Sequence, residues 1–321
     1  MRILKSLMLA AVTLVVAAPV YAVYPERPVT VIVPFPPGGA TDNTARIMSI
    51  KLNEYLGAPV VIENRAGANG GIGAGLLARA KPDGYTILVG SIGVFSINPA
   101  LYKDLQYHPQ KDFDLLTLAV RTPNVLVTRP GFPAKSVSEL VEYLKQNPNK
   151  VSFASSGIGS SDHLTAALFW QRTGTTGVHV PYRGGGPAVQ DLMGGHADVS
   201  FQNLGTVANH VRADKMKMLG VTAEKREPGW DYPTMGEAGV RDLVVYSWQA
   251  VAAPKGLPAD VKAKLETALS RTLKDPDVKK RLEDIGFEVV GNTSAQFDTF
   301  LAGELNRWKG VIETGKITVD Q

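Results

Sequence analysis

Two short runs of the chain gather the residue types that bind anions. The first is Pro36-Pro37-Gly38-Gly39-Ala40-Thr41-Asp42 and the second Ser155-Ser156-Gly157-Ile158-Gly159-Ser160-Ser161-Asp162; both combine glycines with small hydroxyls and an acid. Glycine lets a backbone turn tightly and approach a ligand, and Thr, Ser and Asp stand where a helix wants its N-cap. A helix start of this kind presents unpaired N–H groups and the positive end of the dipole, a seat for a carboxylate or phosphate. Taken singly, each run also fits a well-capped turn from strand to helix. Their repetition, with more glycines and hydroxyls than capping needs, points to two helix N-termini that clamp a small dianion across a cleft.

Other chemistry finds little support. No Gly-x-Ser-x-Gly occurs at Gly90-Ser91-Ile92-Gly93 or among the serines of 155–161, so a nucleophile elbow is missing. The hydrolase alternative needs Ser156 or Ser161 paired with His163, which reads more simply as a capping or cleft-lining group. There is no His-Glu-x-x-His, and His196-Ala197-Asp198 is a weak metal pair beside the turn Gly194-Gly195. His108, His179 and His210 are isolated in the sequence, and the chain contains no cysteine, which removes thiolate catalysis and Cys-ligated metals. Gly73-x-Gly75-x-x-Ala78 imitates a dinucleotide fingerprint. The next strand, however, ends in Gly90-Ser91 instead of an acid, so Gly67–Gly75 read as a tight loop and close helix packing. No cofactor is expected.

The elements that must hold the two runs follow from periodicity. Val29–Val33 is an unbroken β-branched strand, and Ala45, Met48 and Leu52 recur after it at helical spacing. Further strands are expected at 60–63, 85–89 and 151–154, with helices over 42–56, 72–80 and 162–172. The pattern restarts at Asn124-Val125-Leu126-Val127, continues through 178–181, 199–201 and 218–221, and ends in helices over 259–275, 276–285 and 295–313. Alternation of this kind predicts parallel β/α layers with ligands at the carboxyl ends of the strands. The chain is 321 residues long, room for two such lobes.

Residues 1–22 read as an export leader: a basic start at Arg2 and Lys5, an apolar run from Leu7 to Val20, and small residues up to Ala22, after which cleavage is expected. The run is too short for the roughly 20 residues of a membrane anchor. Without Arg2 and Lys5 the chain carries 32 basic and 30 acidic residues, a net charge of +2. Scattered Lys and Arg, densest at Lys279-Lys280-Arg281, argue against nucleic acid as a partner.

Several ordered segments resemble the substrate-binding proteins of tripartite tricarboxylate transporters, the Bug family. They are YPERPVTVIVPFPPGGATD, GAPVVIENRAGANGGIGA, KPDGYTILVGSIGVFSINPALY, FASSGIGSSDHL, VHVPYRGGGPAVQDLMGGHADVSFQN, and PTMGEAG followed by SWQAVAAPKGLP, together spanning residues 24 to about 260. The resemblance implies an α/β, two-lobe periplasmic binding protein (type II), each lobe a β-sheet flanked by helices, with the ligand cleft between lobes. Lobe 1 would comprise residues 23–123 with 248–321, and lobe 2 residues 124–247. Crossing strands are expected near Leu118–Asn124 and Tyr246–Ala252, with Trp248 close to the hinge.

A protein of this kind, expected to be a monomer, would capture a small carboxylate, a di- or tricarboxylate that can be aromatic, by Venus-flytrap closure in the periplasm, and would deliver it to membrane permease subunits. A sensory module that presents its closed form to a receptor is the alternative. Carried over by position, the ligand contacts would be Phe35, Gly38, Gly39, Ala40, Thr41, Asp42 and Ser91, with the neighbours of Ser91 up to Asn98, from one lobe. The other lobe would offer Ser155, Ser156, Gly157, Gly159, Ser160, Ser161 and His163, with Tyr182 and Gln202 also facing the cleft. Many relatives look like Phe-Asp-Asn where this chain has Phe201-Gln202-Asn203, and the missing acid argues for non-amino carboxylates. Phe95 offers either an apolar wall for the ligand or a core side chain.

Overall fold

A computed structural model describes residues 24–319; the expected leader, residues 1–22, lies outside them. Among the described residues, ten strands form one continuous sheet: β1 (Val29–Val33), β2 (Val60–Asn64), β3 (Thr86–Ser91), β4 (Phe113–Thr128), β5 (Ser152–Ser155), β6 (Val178–Pro181), β7 (Val199–Asn203), β8 (Lys217–Val221), β9 (Tyr246–Pro254) and β10 (Glu288–Val289). The order is β2-β1-β3-β9-β4-β7-β5-β6, with β8 and β10 also on β4. Helices flank it, and the molecule is a mixed α/β fold of two lobes.

β4 makes the two lobes out of one sheet. Its 16 residues pair antiparallel with β9 from Phe113 to Pro123, then with β7 and β8 from Asn124 to Thr128. Pro123 stands at the changeover, where a residue without an N–H costs no ladder hydrogen bond. Asn124 behind it is fully buried; its amide donates to Thr165 Oγ1 at 2.7 Å and its backbone N–H to Thr222 Oγ1 at 3.0 Å.

On either side of the changeover lies a parallel set, β1 with β2 and β3 in one lobe, β5 with β6 and β7 in the other. Parallel strands need helical crossovers: Ala40–Leu56 after β1, Gly71–Ala78 after β2 and Ser161–Thr173 after β5 start within two residues of where the periodicity placed them, and Gly185–Met193 after β6 and Leu204–Arg212 after β7 are helices the periodicity did not mark. Ala45, Met48, Leu52 and Leu56 are the buried face of the first.

The helix Ser294–Gly315 opens with a capping box between Thr293 and Gln296 and lies across both lobes, against the turn Gly93–Ile97 and the helix Ser161–Thr173. Its Phe297, Leu301 and Trp308 belong to one connected core that also holds Leu88, Phe95 and Trp248 from the first lobe and Phe153, Leu164 and Phe169 from the second. Among the described residues, no helix is long and apolar enough to cross a membrane.

Candidate functional site

The first corner joins β1 to the helix Ala40–Leu56. Pro36, Pro37, Gly38 and Gly39 are exposed, and the helix begins at Gly39 without a side-chain cap. The N–H groups of Ala40, Thr41 and Asp42, the first three of the helix, therefore meet no capping side chain and lie at its positive end. Asp42 does not compete for them from outside. It is buried and ties the corner together, its Oδ2 accepting from Gly38 N–H and Arg46 Nε at 2.8 Å each, and its Oδ1 from Asn64 Nδ2 at 2.9 Å. Burial disfavours the charged carboxylate, but the bonds from Arg46, Gly38 and Asn64 outweigh it and hold Asp42 below its ordinary range. Thr41 is pinned through Oγ1 to Gln249 Oε1 at 2.8 Å, and Gln249 lies opposite Ser91 in the β3–β9 ladder. Phe35 is half-buried, and its carbonyl accepts from Asn64 Nδ2 at 3.0 Å.

The second corner joins β5 to the helix Ser161–Thr173, and it spends more donors on itself. Ser160 caps the helix by accepting from His163 N–H. Asp162 Oδ2 accepts from Ser156 N–H at 2.6 Å, Ser156 Oγ at 2.7 Å and Gln202 Nε2 at 3.0 Å. Burial dominates at Asp162 and pushes its carboxyl upward against the bonds from Ser156 and Ser160. Gly157 N–H reaches back to Ser155 Oγ at 3.1 Å, and Gly159 N–H donates to His163 Nδ1 at 3.2 Å. His163 stacks flat on His179, ring centres 3.7 Å apart and planes 6° apart, and His179 Nε2 is 2.7 Å from Ser155 Oγ. Burial, with the neighbouring imidazole adding, lowers His163 to about 3; burial alone lowers His179 to about 4. Both rings are therefore neutral at neutral pH. Ser156 serves Asp162, Ser161 Oγ accepts from Asn203, and His163 accepts from Gly159, so neither Ser–His pair of the hydrolase alternative is assembled.

The two corners meet around Asn69, which no spacing argument singled out. Asn69 sits in the left-handed region at φ 47°, in the loop after β2, and its Nδ2 donates to the Gly159 carbonyl of the opposite lobe at 2.8 Å. Gly70 beside it packs on Phe35, and Gly93 packs on the Asn69 amide, so a Cβ on either would collide. Tyr182 is half-buried and turns its hydroxyl to Asp191 at 2.8 Å. Gln202 is buried, its amide nitrogen held by Asp162 and Ser200 at 3.0 Å each. Phe95 is a core residue: it is fully buried, stacks on Trp248 and meets Phe113 and Phe297 edge-on. A cavity of about 610 Å³ lies apart from both corners, between the helix Gly71–Ala78, the segment 100–106 and residues 317–319.

Residues 44–317 match the profile of the tripartite tricarboxylate transporter family receptor. The chain belongs to that family. Protein BugT of Bordetella pertussis is 37% identical over 318 residues, covering 98% of both chains. Among solved structures, Rhodopseudomonas palustris Rpa4515 with adipate superposes at TM-score 0.87 with 34% identity, over 92% of this chain and 99% of that one. MatC of the same organism, with bound malate, gives 0.84 with 35% identity, over 90% and 100%. As in other receptors of this family, the fold is that of a periplasmic solute-binding protein. Beside Asn69, the residues that sequence reasoning missed are Asn64 and Gln249, which hold the first corner from neighbouring strands. Asn64 ends β2 and Gln249 lies opposite Ser91, the end of β3, a juxtaposition that only the strand order reveals.

Proposed function

We propose that the chain is a periplasmic solute-binding protein that captures a small dicarboxylate between the two corners and delivers it to the membrane subunits of a tripartite transporter. The observation that carries this reading is the uncapped helix start at Ala40, Thr41 and Asp42, in a lobe that is bonded to the second glycine turn by Asn69, from the loop after β2, to the Gly159 carbonyl. One carboxylate would accept from these N–H groups. The other would lie at the second corner, where Ser156 and Ser160 already donate to Asp162 and to the Gly157 carbonyl, and where the donors left for a ligand are Ile158 and Ser161 N–H and the Ser161 hydroxyl. An Asp42 already neutralised by Arg46, and an Asp162 shifted toward its protonated form, leave little negative charge to repel a dianion.

The relatives solved with adipate and malate support the substrate class. Gln202 favours acids without an ammonium group, since an amide beside Asp162 offers a cation less than a second carboxylate would. In this reading the lobes are residues 23–123 with 248–321, and 124–247, closing about β4 and β9; residues 1–22 direct export.

Thermal melts of the mature protein with aliphatic and aromatic mono-, di- and tricarboxylates, aspartate and glutamate test the proposal. A ligand that binds only the folded state raises Tm, by about 2.7 kcal/mol of stability at a hundredfold excess over Kd. Dicarboxylates should raise it and amino acids should not. A rise with amino acids alone would remove the Gln202 argument, and no rise with any acid would remove the proposed ligand class.

A further inference from the structure

Both backbone polar groups of Gly159 are held, from opposite lobes. Its N–H is held within the second lobe by His163 Nδ1 at 3.2 Å, and its carbonyl by Asn69 Nδ2 of the first lobe at 2.8 Å. Asn69 is itself held. Its Nδ2 also donates to Asn98 Oδ1 at 3.0 Å, Asn98 Nδ2 donates back to the Asn69 carbonyl at 3.0 Å and to Tyr107 Oη at 3.2 Å, and Tyr107 donates to the Val94 carbonyl at 2.7 Å. Asn98 is fully buried and Tyr107 nearly so, so the relay is anchored in the first-lobe core. Gly159 is at φ +77°, and a Cβ there would stand 2.9 Å from Asn69 Nδ2 and 2.7 Å from Leu101 Cδ2. Only glycine permits this approach.

From this we infer that Asn69 is a closure latch: a positioning residue that joins the lobes directly and, through Gly159 and the stacked imidazoles, sets the second corner for its ligand. The inference rests on the solute-binding reading for its purpose but not for its geometry. A hydrogen bond between two lobes favours the closed state by itself, so the closed form is populated before ligand arrives, and ligand then draws on it. Losing one such bond should lower the closed-to-open ratio by about three- to tenfold.

The test uses the full mature chain, whose lack of cysteine allows spin labels at Glu54→Cys and Lys145→Cys, both exposed, on helices of opposite lobes. Asn69→Asp retains a residue that accepts positive φ but cannot donate to the Gly159 carbonyl; Asn69→Gly, which keeps the backbone and removes the side chain, is the second variant should the first not fold. Without added ligand, pulsed distance measurements should show the longer inter-lobe distance gaining population in both variants. With malate or adipate, the dissociation rate should rise by the same three- to tenfold while association changes little. Identical distance distributions in parent and variants would overturn the latch. A distance shift in a protein that binds no carboxylate would uphold the latch and overturn only the ligand proposal.

Discussion

At the scale of single residues, the two corners look alike in sequence and differ in how they use their acids. Asp42 is held charged by Arg46 and leaves its helix start open; Asp162 is buried among hydroxyls and an amide and draws its corner's donors inward. The imidazole pair beneath the second corner carries a pH signature. His163 and His179 fall to about 3 and about 4, from an ordinary 6.5. Between those values the unfolded chain takes up protons that the folded one refuses, so their contribution is complete above pH 6.5 and is lost as pH falls toward 4. The slope reaches at most about 1.4 kcal/mol per pH unit for each ring. Asp162, shifted upward, works in the opposite direction, and Asp42, shifted downward from 3.8, acts only below this window. Urea unfolding from pH 7 to 4.5 should therefore show stability falling with acid. The fall should shrink in His179→Gln, which retains a polar partner for Ser155 and removes one titration; an equal slope in the variant would count against this assignment.

At the scale of elements, the C-terminal helix Ser294–Gly315 is the piece that holds both lobes' surfaces together. Glu304 Oε2 accepts from Trp248 Nε1 on β9 at 3.0 Å and from Trp308 Nε1 at 2.9 Å, with Arg307 alongside. One buried oxygen thus satisfies two indoles, one of them on a crossing strand. Glu304→Ala should cost about 2–4 kcal/mol, since it strands two buried donors, whereas Glu304→Gln, keeping an acceptor, should cost less than half as much. Chemical denaturation followed by tryptophan fluorescence would measure both, and equal losses would show that the carboxylate is not what the indoles need.

For the whole molecule, the sheet is continuous through β4 and the largest core runs from Leu88 and Phe95 through Trp248 to Phe153 and Phe169. Lobes that share apolar contacts and a common strand cannot unfold separately without exposing that shared surface. Calorimetry of the ligand-free protein should give one transition whose van't Hoff and calorimetric enthalpies agree; two separated transitions would mean that the lobes fold as independent domains. In the proposed function, closure would then be a bend within one cooperative body, about strands β4 and β9.

Much of this was legible in the sequence because it is local. Strand and helix alternation follows from periodicity, and helices expected over 42–56, 259–275 and 295–313 form as Ala40–Leu56, Ala259–Lys274 and Ser294–Gly315. Glycines with Ser, Thr and Asp at two strand ends marked both corners, because turn conformation and capping depend on neighbours in the chain. Contacts between distant segments left no such mark. Asn69 reads as one more loop residue in Gly67-Ala68-Asn69-Gly70, and its bond to Gly159 spans 90 positions. The placing of Phe95 in the core, and the pairing of His163 with His179, likewise depended on which strands became neighbours. Periodicity sets which face of an element is apolar; strand order and lobe approach decide what that face, or a lone polar side chain, finally meets.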